Sequence, residues 1–513
     1  MKYTSHLKQL SVDMFRSSFD DLDKNNRWVK LGDSLPWTEL EKIYNSRLDN
    51  KVKGAGNKPA RMIIGACIIK HKFCLSDEET ISMIQENPYM QYLCGLSEFT
   101  DKPLFAPSLF TTIRKRITIE EINQFTTELL NKELADKEAR KAEDQNQRDD
   151  NEEPPVAPTE ANGAEFTDSH GRTHKGVLKL DATCADAEVR YPVDADIIHD
   201  GCKIADRYIK KICKVLHIKK LRSCYGDARS FYLELVKRKK KGYKLIRSTI
   251  SAMLSYLNKD LRKLAELFFE YRGSKEILQP HEQRILRATF DMYSQQLEMF
   301  EEKKHQCKDR IVSIFQPHVR PIVRGKSKSP TEFGAKIGAA IYEGYTFIDH
   351  HSWDAYNEST DLSLQIQLFK ERFGYLPATI LADKIYMSKA NRKILKEYEI
   401  KTYCKPLGRP PKDPRSPEYL KKMAKAVGER NEAECSFGTG KRIYRANNIR
   451  AKLPETAECW TGMCYFVKNV MKFLRELCLV LFGFLLNLWT DAIAKYRVHC
   501  LLPWQFINSV DTN

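Results

Sequence analysis

A chain of 513 residues, 42% of them hydrophobic, is long enough for two to four domains with real cores. Its 85 basic against 68 acidic residues leave a net charge of +17, an excess that fits a polyanionic partner such as nucleic acid, or else a merely basic soluble protein. Fourteen cysteines without a Cys-x-x-Cys pair lack zinc-ligand spacing and fit a reducing compartment; with no apolar signal core after Met1, a cytoplasmic location is expected.

Residues 1 to about 55 are mixed and polar, with Trp28, Trp37 and Tyr44 as anchors. From Ala60, the spacing of Met62, Ile63, Ala66, Cys67 and Phe73 predicts a helix. Ser76 and Glu79 form a capping box for the next helix, which Asn87-Pro88 stops. A short helix over Tyr89–Cys94 ends at Gly95, and Pro107-Ser108 opens another that carries Arg114, Lys115 and Arg116. Thr118 and Glu121 open a long helix. Short helices with a basic last member suit a helix-turn-helix-like DNA-binding domain over residues 1–135, although small helical domains that bind no DNA share the pattern.

Residues 136–170 lose their large apolar side chains and gain Pro154, Pro155 and Pro158. Such a stretch buries too little surface to offset its ordering entropy, so a disordered linker is expected. A strand follows from Gly176 to Thr183, with Asp181 near its end. Residues from about 196 to 310 read as a basic helical region with interleaved aromatics. Its densest charge includes Lys237, Arg238 and Lys239, candidates for phosphate contact.

Strand signals return at Ile311–Phe315, at Ala335–Tyr342 and, after the turn Glu343-Gly344, at Tyr345–Ile348. His350 and His351 follow and read as structural or surface residues. A helix over Leu362–Phe373 ends at Gly374, and a strand from Ala378 to Ala382 ends at Asp383. Then come a helix over Ser388–Glu397, a strand over Ile400–Cys404, a basic Gly/Pro loop over Leu407–Lys412 and a basic helix from about Pro417.

That helix leads into Arg430–Tyr444, where Arg430, Glu434, Phe437 and Lys441 share a face. Gly438 and Gly440 each cost about 1 kcal/mol in a helix interior, which suggests close approach of something large, such as a nucleic-acid backbone. The apolar run Leu477–Leu486 is too short to span a membrane and reads as a buried C-terminal helix or a dimer contact.

The order strand, hairpin, helix, strand, helix predicts an α/β fold: an RNase H-like mixed sheet flanked by helices over residues 171–460. It would carry a helical insertion, follow an all-α N-terminal domain and precede a C-terminal helical tail over 461–513. On neighbouring strands Asp181 and Asp383 would project at one sheet end, with Glu434 reaching across from a helix. Three oxygen donors without His or Cys favour Mg²⁺ or Mn²⁺, and such ions activate the attacking oxygen and stabilise the leaving one in phosphoryl transfer.

The sequence resembles insertion-sequence DDE transposases of the broad IS-four and IS-five assemblage. The resemblance rests on Leu180–Cys184 through Arg190-Tyr191-Pro192, Arg320–Lys326 with Glu332–Lys336, Tyr356-Asn357-Glu358, Ala382–Tyr386, Leu407–Lys412 and Arg430–Tyr444. It implies Asp181, Asp383 and Glu434 as catalytic metal ligands, because the family leaves three residues between an Arg and the catalytic Glu and six between that Glu and a Lys. Arg430, Glu434 and Lys441 fit that spacing, whereas Glu432 is out of register. The chain departs from the family at Val427, where Tyr is frequent, and at Cys435, where Gly is usual.

The resemblance also implies binding of double-stranded DNA at terminal inverted repeats and in the target, metal-dependent strand cleavage and strand transfer, a homodimer in the synaptic complex, no membrane partner and a nucleoid-associated location. Arg430, Lys441 and Arg442 would contact DNA beside the acids, and Arg114, Lys115 and Arg116 in the N-terminal domain. Two alternatives stay open from sequence: an inactive DNA-binding descendant, and an RNase H-like nuclease without strand transfer.

Overall fold

The computed structural model describes residues 19–48, 56–146, 163–271, 273–323, 331–403 and 416–479. Seven helices come first: α1 (Arg27–Ser34), α2 (Trp37–Ser46), α3 (Ala60–Phe73), α4 (Asp77–Glu86), α5 (Pro88–Leu93), α6 (Leu109–Arg116) and α7 (Ile119–Asn146). Local chemistry sets their ends. Asn26 caps α1 by accepting from the Trp28 amide, and Ser76 and Glu79 close the expected capping box on α4. Trp28, Trp37 and Tyr44 are buried, as their anchor role required. α3 is buried almost throughout and forms the axis of this bundle.

A small hairpin, β1 (Phe166–Thr167) and β2 (Thr173–His174), leads into β3 (Val177–Asp186). Four helices follow, α8 (Asp194–Val215), α9 (Tyr225–Lys237), α10 (Tyr243–Glu270) and α11 (Pro280–Glu301). They close around an apolar core of their own, centred on Ile209, Met253, Leu257, Leu264 and Met292. The remaining strands are β4 (Arg320–Val323), β5 (Thr331–Tyr342), β6 (Tyr345–Ser352), β7 (Thr379–Ala382) and β8 (Lys401–Thr402). Between them lie α12 (Leu362–Phe373) and α13 (Lys389–Glu397); α14 (Pro417–Ile443) and α15, over 454–479, complete the described chain.

The sheet is mixed. β3 runs antiparallel to β5 and parallel to β7; β7 continues parallel to β8, and β5 pairs antiparallel with both β4 and β6. The β5–β6 turn is the expected Glu343-Gly344, with φ of 50° and 77°, the backbone a two-residue hairpin turn demands. Gly374, at φ 79°, ends α12 at the expected stop.

Three expectations change. No strand forms over Ile311–Phe315; the strand of this region is β4, which finds its partner in the first part of β5. An apolar run without an edge to pair with folds as loop, and Ile311 and Ile314 instead pack against the helical block. The stretch expected as linker is helical up to Asn146, since α7 continues past its apolar part, and Phe166–His174 forms the small hairpin. The third change concerns the domain boundary. The N-terminal bundle, the sheet and α15 share one continuous core, from Trp28 through Phe347 to Phe466. The Leu407–Lys412 loop and the apolar run beyond residue 479 lie outside the described residues.

The junction is built on β6, an edge strand of the sheet. Asn123 of α7 accepts from the Ile348 amide at 3.0 Å and donates to the Ile348 carbonyl at 2.7 Å. Asn469 of α15 does the same for Thr346, at 3.0 and 2.8 Å. Two side-chain amides therefore take the place of a further strand and close an edge that would otherwise offer unpaired backbone groups.

Candidate active site

The parallel pairing of β3 with β7 sets Leu180 opposite Ala382, so the next residue on each strand is an acid: Asp181 and Asp383. Asp181 lies within β3, is largely buried, and its carboxylate accepts from the Ala182 amide at 2.8 Å. Asp383 ends β7 in the open; its carboxylate accepts from the Lys384 amide at 2.7 Å and caps a 3-10 turn over Lys384–Tyr386.

α14 packs across β3 and β7 on this side of the sheet. Its half-buried Arg430 reaches both remaining acids, at 3.7 Å from Asp383 and 3.6 Å from Glu434. Asp383 and Glu434 are each more than half exposed. Burial is the main cause that holds the Asp181 carboxyl up at about 6, with the charges of Glu358 and Asp383 acting the same way and the Ala182 amide and Arg430 opposing them. Arg430 thus links the acids of the β7 end and of α14 directly and bears on Asp181 of β3 through its charge. Glu432 points elsewhere and pairs with Lys179 of β3.

Among the described residues, the ligand atoms of Asp181, Asp383 and Glu434 do not close to within 4.8 Å of one another; Cys184, Asp186 and Glu332 do, further along β3 and on β5. The Arg430 guanidinium lies within ion-pair reach of both Asp383 and Glu434. The oxygen-only donor set nevertheless fits a hard divalent cation.

The basic candidates are spread over three regions. Lys441 is half-buried on α14, about 10 Å along the helix axis from Glu434 at 1.5 Å per residue. Arg442 folds back over Gly438, its Nε 3.3 Å from the Gly438 carbonyl. Lys237, Arg238 and Lys239 are exposed at the end of α9, with Arg238 paired to Glu234 at 2.6 Å. In the bundle, Lys115 is exposed and Arg116 half-buried, but Arg114 is taken up by the fold. It makes a two-pronged pair with Asp77 at 2.9 and 2.8 Å and stacks on Trp460, beside the buried Lys70.

Gly440 also serves packing: a Cβ there would stand 2.7 Å from the ring of Tyr465 on α15. A protein ring makes the close approach that the paired glycines suggested for a nucleic-acid backbone. The His350 Nδ1 pairs with the Asp361 carboxylate at 2.8 Å, and His351 is buried beside Trp353, in keeping with structural roles. Two residues of the site had no role from sequence. Glu358 stood inside the Tyr356-Asn357-Glu358 motif, which was its only signal. Asn391 carried none.

Two family models match the chain. Residues 16–116 match a transposase domain, described as "Transposase domain (DUF772)", and residues 380–471 match a "Transposase DDE domain". The second match takes in Asp383 and Glu434 but begins beyond Asp181. A curated relative, "Uncharacterized protein ORF8 in nfe locus" from Rhizobium meliloti, is 30% identical over 106 residues, which cover 20% of this chain and 50% of that protein. The chain thus spans about half the length of this relative. No solved structure matches.

A transposase N-terminal domain followed by a DDE domain defines a DDE-type transposase, an enzyme class of phosphoryl transfer. The two matches support an insertion-sequence DDE transposase. The family typically uses a divalent metal and acts on DNA. Among the described residues, no helix is long and apolar enough to cross a membrane.

Proposed function

We propose that this protein binds the terminal inverted repeats of its own insertion sequence, cuts the DNA there and joins the freed 3′-hydroxyl to target DNA. The observation that carries this reading is the β3–β7 register, which sets Asp181 and Asp383 side by side under a helix that brings Glu434. The strand order β6-β5-β3-β7-β8, with β5 alone of the inner three antiparallel to β3, supports an RNase H-like catalytic domain.

Asp181, Asp383 and Glu434 are the catalytic acids and would hold Mg²⁺ or Mn²⁺. When bound, such an ion lowers the charge on the scissile phosphate and on the attacking and leaving oxygens. The chain's own groups do the rest. Asp181, fixed in the central strand, supplies a rigid ligand. Arg430 has to release Asp383 and Glu434 before both can serve, and a DNA phosphate is the partner that draws it away. Lys441 and Arg442, further along α14, hold the same backbone. Lys237, Arg238 and Lys239 extend the contact along the helical insertion, and Lys115 and Arg116 contribute from the N-terminal bundle. A homodimer would bring two ends together, and the site of action is the bacterial nucleoid.

The test is cleavage of labelled DNA carrying the terminal repeat that flanks the gene. Metal-dependent nicking at the repeat end and a joined product are expected. Asp181→Asn protein that cuts at the wild-type rate would sink the assignment, and cutting without joining would reduce it to a nuclease.

A further inference from the structure

Lys336 of β5 stands opposite Cys184 of β3, three positions along from Asp181. Its ammonium group is largely buried, 2.9 Å from the Glu358 carboxylate, 2.8 Å from the Tyr356 carbonyl and 4.8 Å from the centre of the Tyr356 ring. Glu358 is only 15% exposed. It opens a 3-10 turn over Glu358–Thr360 that Asn357 caps by accepting from the Ser359 amide.

A second device places this turn against the active site. The side-chain amide of the buried Asn391 donates to the Ser359 carbonyl at 2.7 Å and to the Tyr386 carbonyl at 2.7 Å. The first carbonyl belongs to the turn that carries Glu358, the second to the turn that Asp383 caps. One amide therefore fixes the position of Glu358 relative to Asp383. The Glu358 charge bears on Asp181 and on the buried Tyr386, the last residue of the turn that Asp383 caps.

A half-buried carboxylate beside a second acid is unfavourable by itself, because like charges in a poorly solvated place repel. A fold keeps it there by holding a counter-charge on one side, which Lys336 supplies, and gains from it when a cation arrives on the other. We propose that Glu358 is the fourth acid of the site, set beside Asp181 to strengthen its hold on a divalent cation, with Lys336 tempering that hold. The inference rests on the reading of Asp181 and Asp383 as cation ligands. It makes Glu358 a residue that acts on the ion with Asp181, and Asn391 a positioning residue for the pair.

Binding of Mn²⁺ alone, followed by the loss of its free-ion electron paramagnetic resonance signal, tests this without any turnover. The full-length protein is titrated at one pH as wild type, Glu358→Gln, Lys336→Gln and Asp181→Asn. Circular dichroism of each protein reports folding. Glu358→Gln is expected to weaken Mn²⁺ binding at least fivefold, while Lys336→Gln strengthens it, both with the wild-type spectrum. A merely structural ion pair would move both variants the same way. Glu358→Gln binding within twofold of wild type, while Asp181→Asn binds weakly, overturns the role of Glu358 alone. Wild-type binding by Asp181→Asn overturns the underlying reading of the acids and this inference with it. Should Glu358→Gln not fold, unchanged or weaker binding by Lys336→Gln decides against the proposal.

Discussion

Arg430 is the residue on which the acidic side chains turn. It satisfies Asp383 and Glu434 at once, at 3.7 and 3.6 Å, distances typical of loose ion pairs that exchange partners readily. Asp181→Asn and Glu434→Gln are each expected to lower end cleavage by about 10²-fold or more, the scale seen when a group that stabilises transition-state charge is removed. Glu432→Gln is the matched control. It removes a carboxylate two residues away that Lys179 already occupies, and activity should stay within tenfold of wild type in the same cleavage assay. The geometry thus separates two glutamates of α14 that the amino-acid string alone distinguishes only by register. Arg114 and Gly440 show the opposite case. One looks like a DNA contact and the other like a place for a DNA backbone, yet Asp77 takes the first and the ring of Tyr465 fills the space beside the second. Neither neighbour is close in sequence, so neither could be read from it.

At the scale of elements, β6 and α14 carry most of the consequence. β6 lies at an edge, and Asn123 and Asn469 finish its hydrogen bonding from two helices. Asn123→Ala or Asn469→Ala leaves a buried amide and carbonyl of β6 without partners, and each change should lower stability by about 1–3 kcal/mol. Urea unfolding of the single and double variants measures it. The double variant should also aggregate sooner, because an uncovered edge templates pairing. α14 packs on α15 through Gly440, where Gly440→Val drives a branched side chain into Tyr465. Overpacking of this kind typically costs about 1–3 kcal/mol, read as a lower denaturant midpoint. Local signals placed the elements themselves well: the capping box of α4, the Glu343-Gly344 turn and the Gly374 stop each depend on a few adjacent residues. The strand expected at Ile311–Phe315 did not form because pairing, which apolar character cannot reveal, selects which segments become strands.

Over the whole molecule, the N-terminal bundle and the sheet behave as one body at their shared core, and buried histidines sit in that core. His71, buried against Trp460 and Cys464, is pushed down to about 3, as is His351 beside Trp353, in both cases chiefly by burial. Both are neutral in the fold at pH values where the unfolded chain protonates them. Above an ordinary histidine value of about 6.5 the two states bind equal numbers of protons; below it the unfolded state binds more, and stability falls until the folded values near 3. Each histidine then removes up to about 1.4 kcal/mol per pH unit. The melting temperature should drop between pH 7 and pH 5, and His71→Phe should flatten that drop. The exposed cations of the insertion act at the same scale. Replacing Lys237, Arg238 and Lys239 by Gln should weaken DNA binding and reduce the slope of log affinity against log salt by about 0.9 for each phosphate left without its cation, as measured by fluorescence anisotropy. Arg114→Gln should leave that slope unchanged and lower stability.

The sequence by itself determined the charge balance, most of the helices and turns, the order of strands and helices, and the three acids with the arginine beside the last. All of these depend on residue type and short-range spacing, which the chain carries explicitly. Tertiary structure decided the register that sets Asp181 beside Asp383, the arginine that holds Asp383 and Glu434, the docking of Glu358 by Asn391, and the merging of the N-terminal bundle with the sheet through Asn123 and Asn469. Each of these joins residues far apart in the chain. Only the pairing of strands and the closing of a common core bring them within hydrogen-bonding or Coulombic reach.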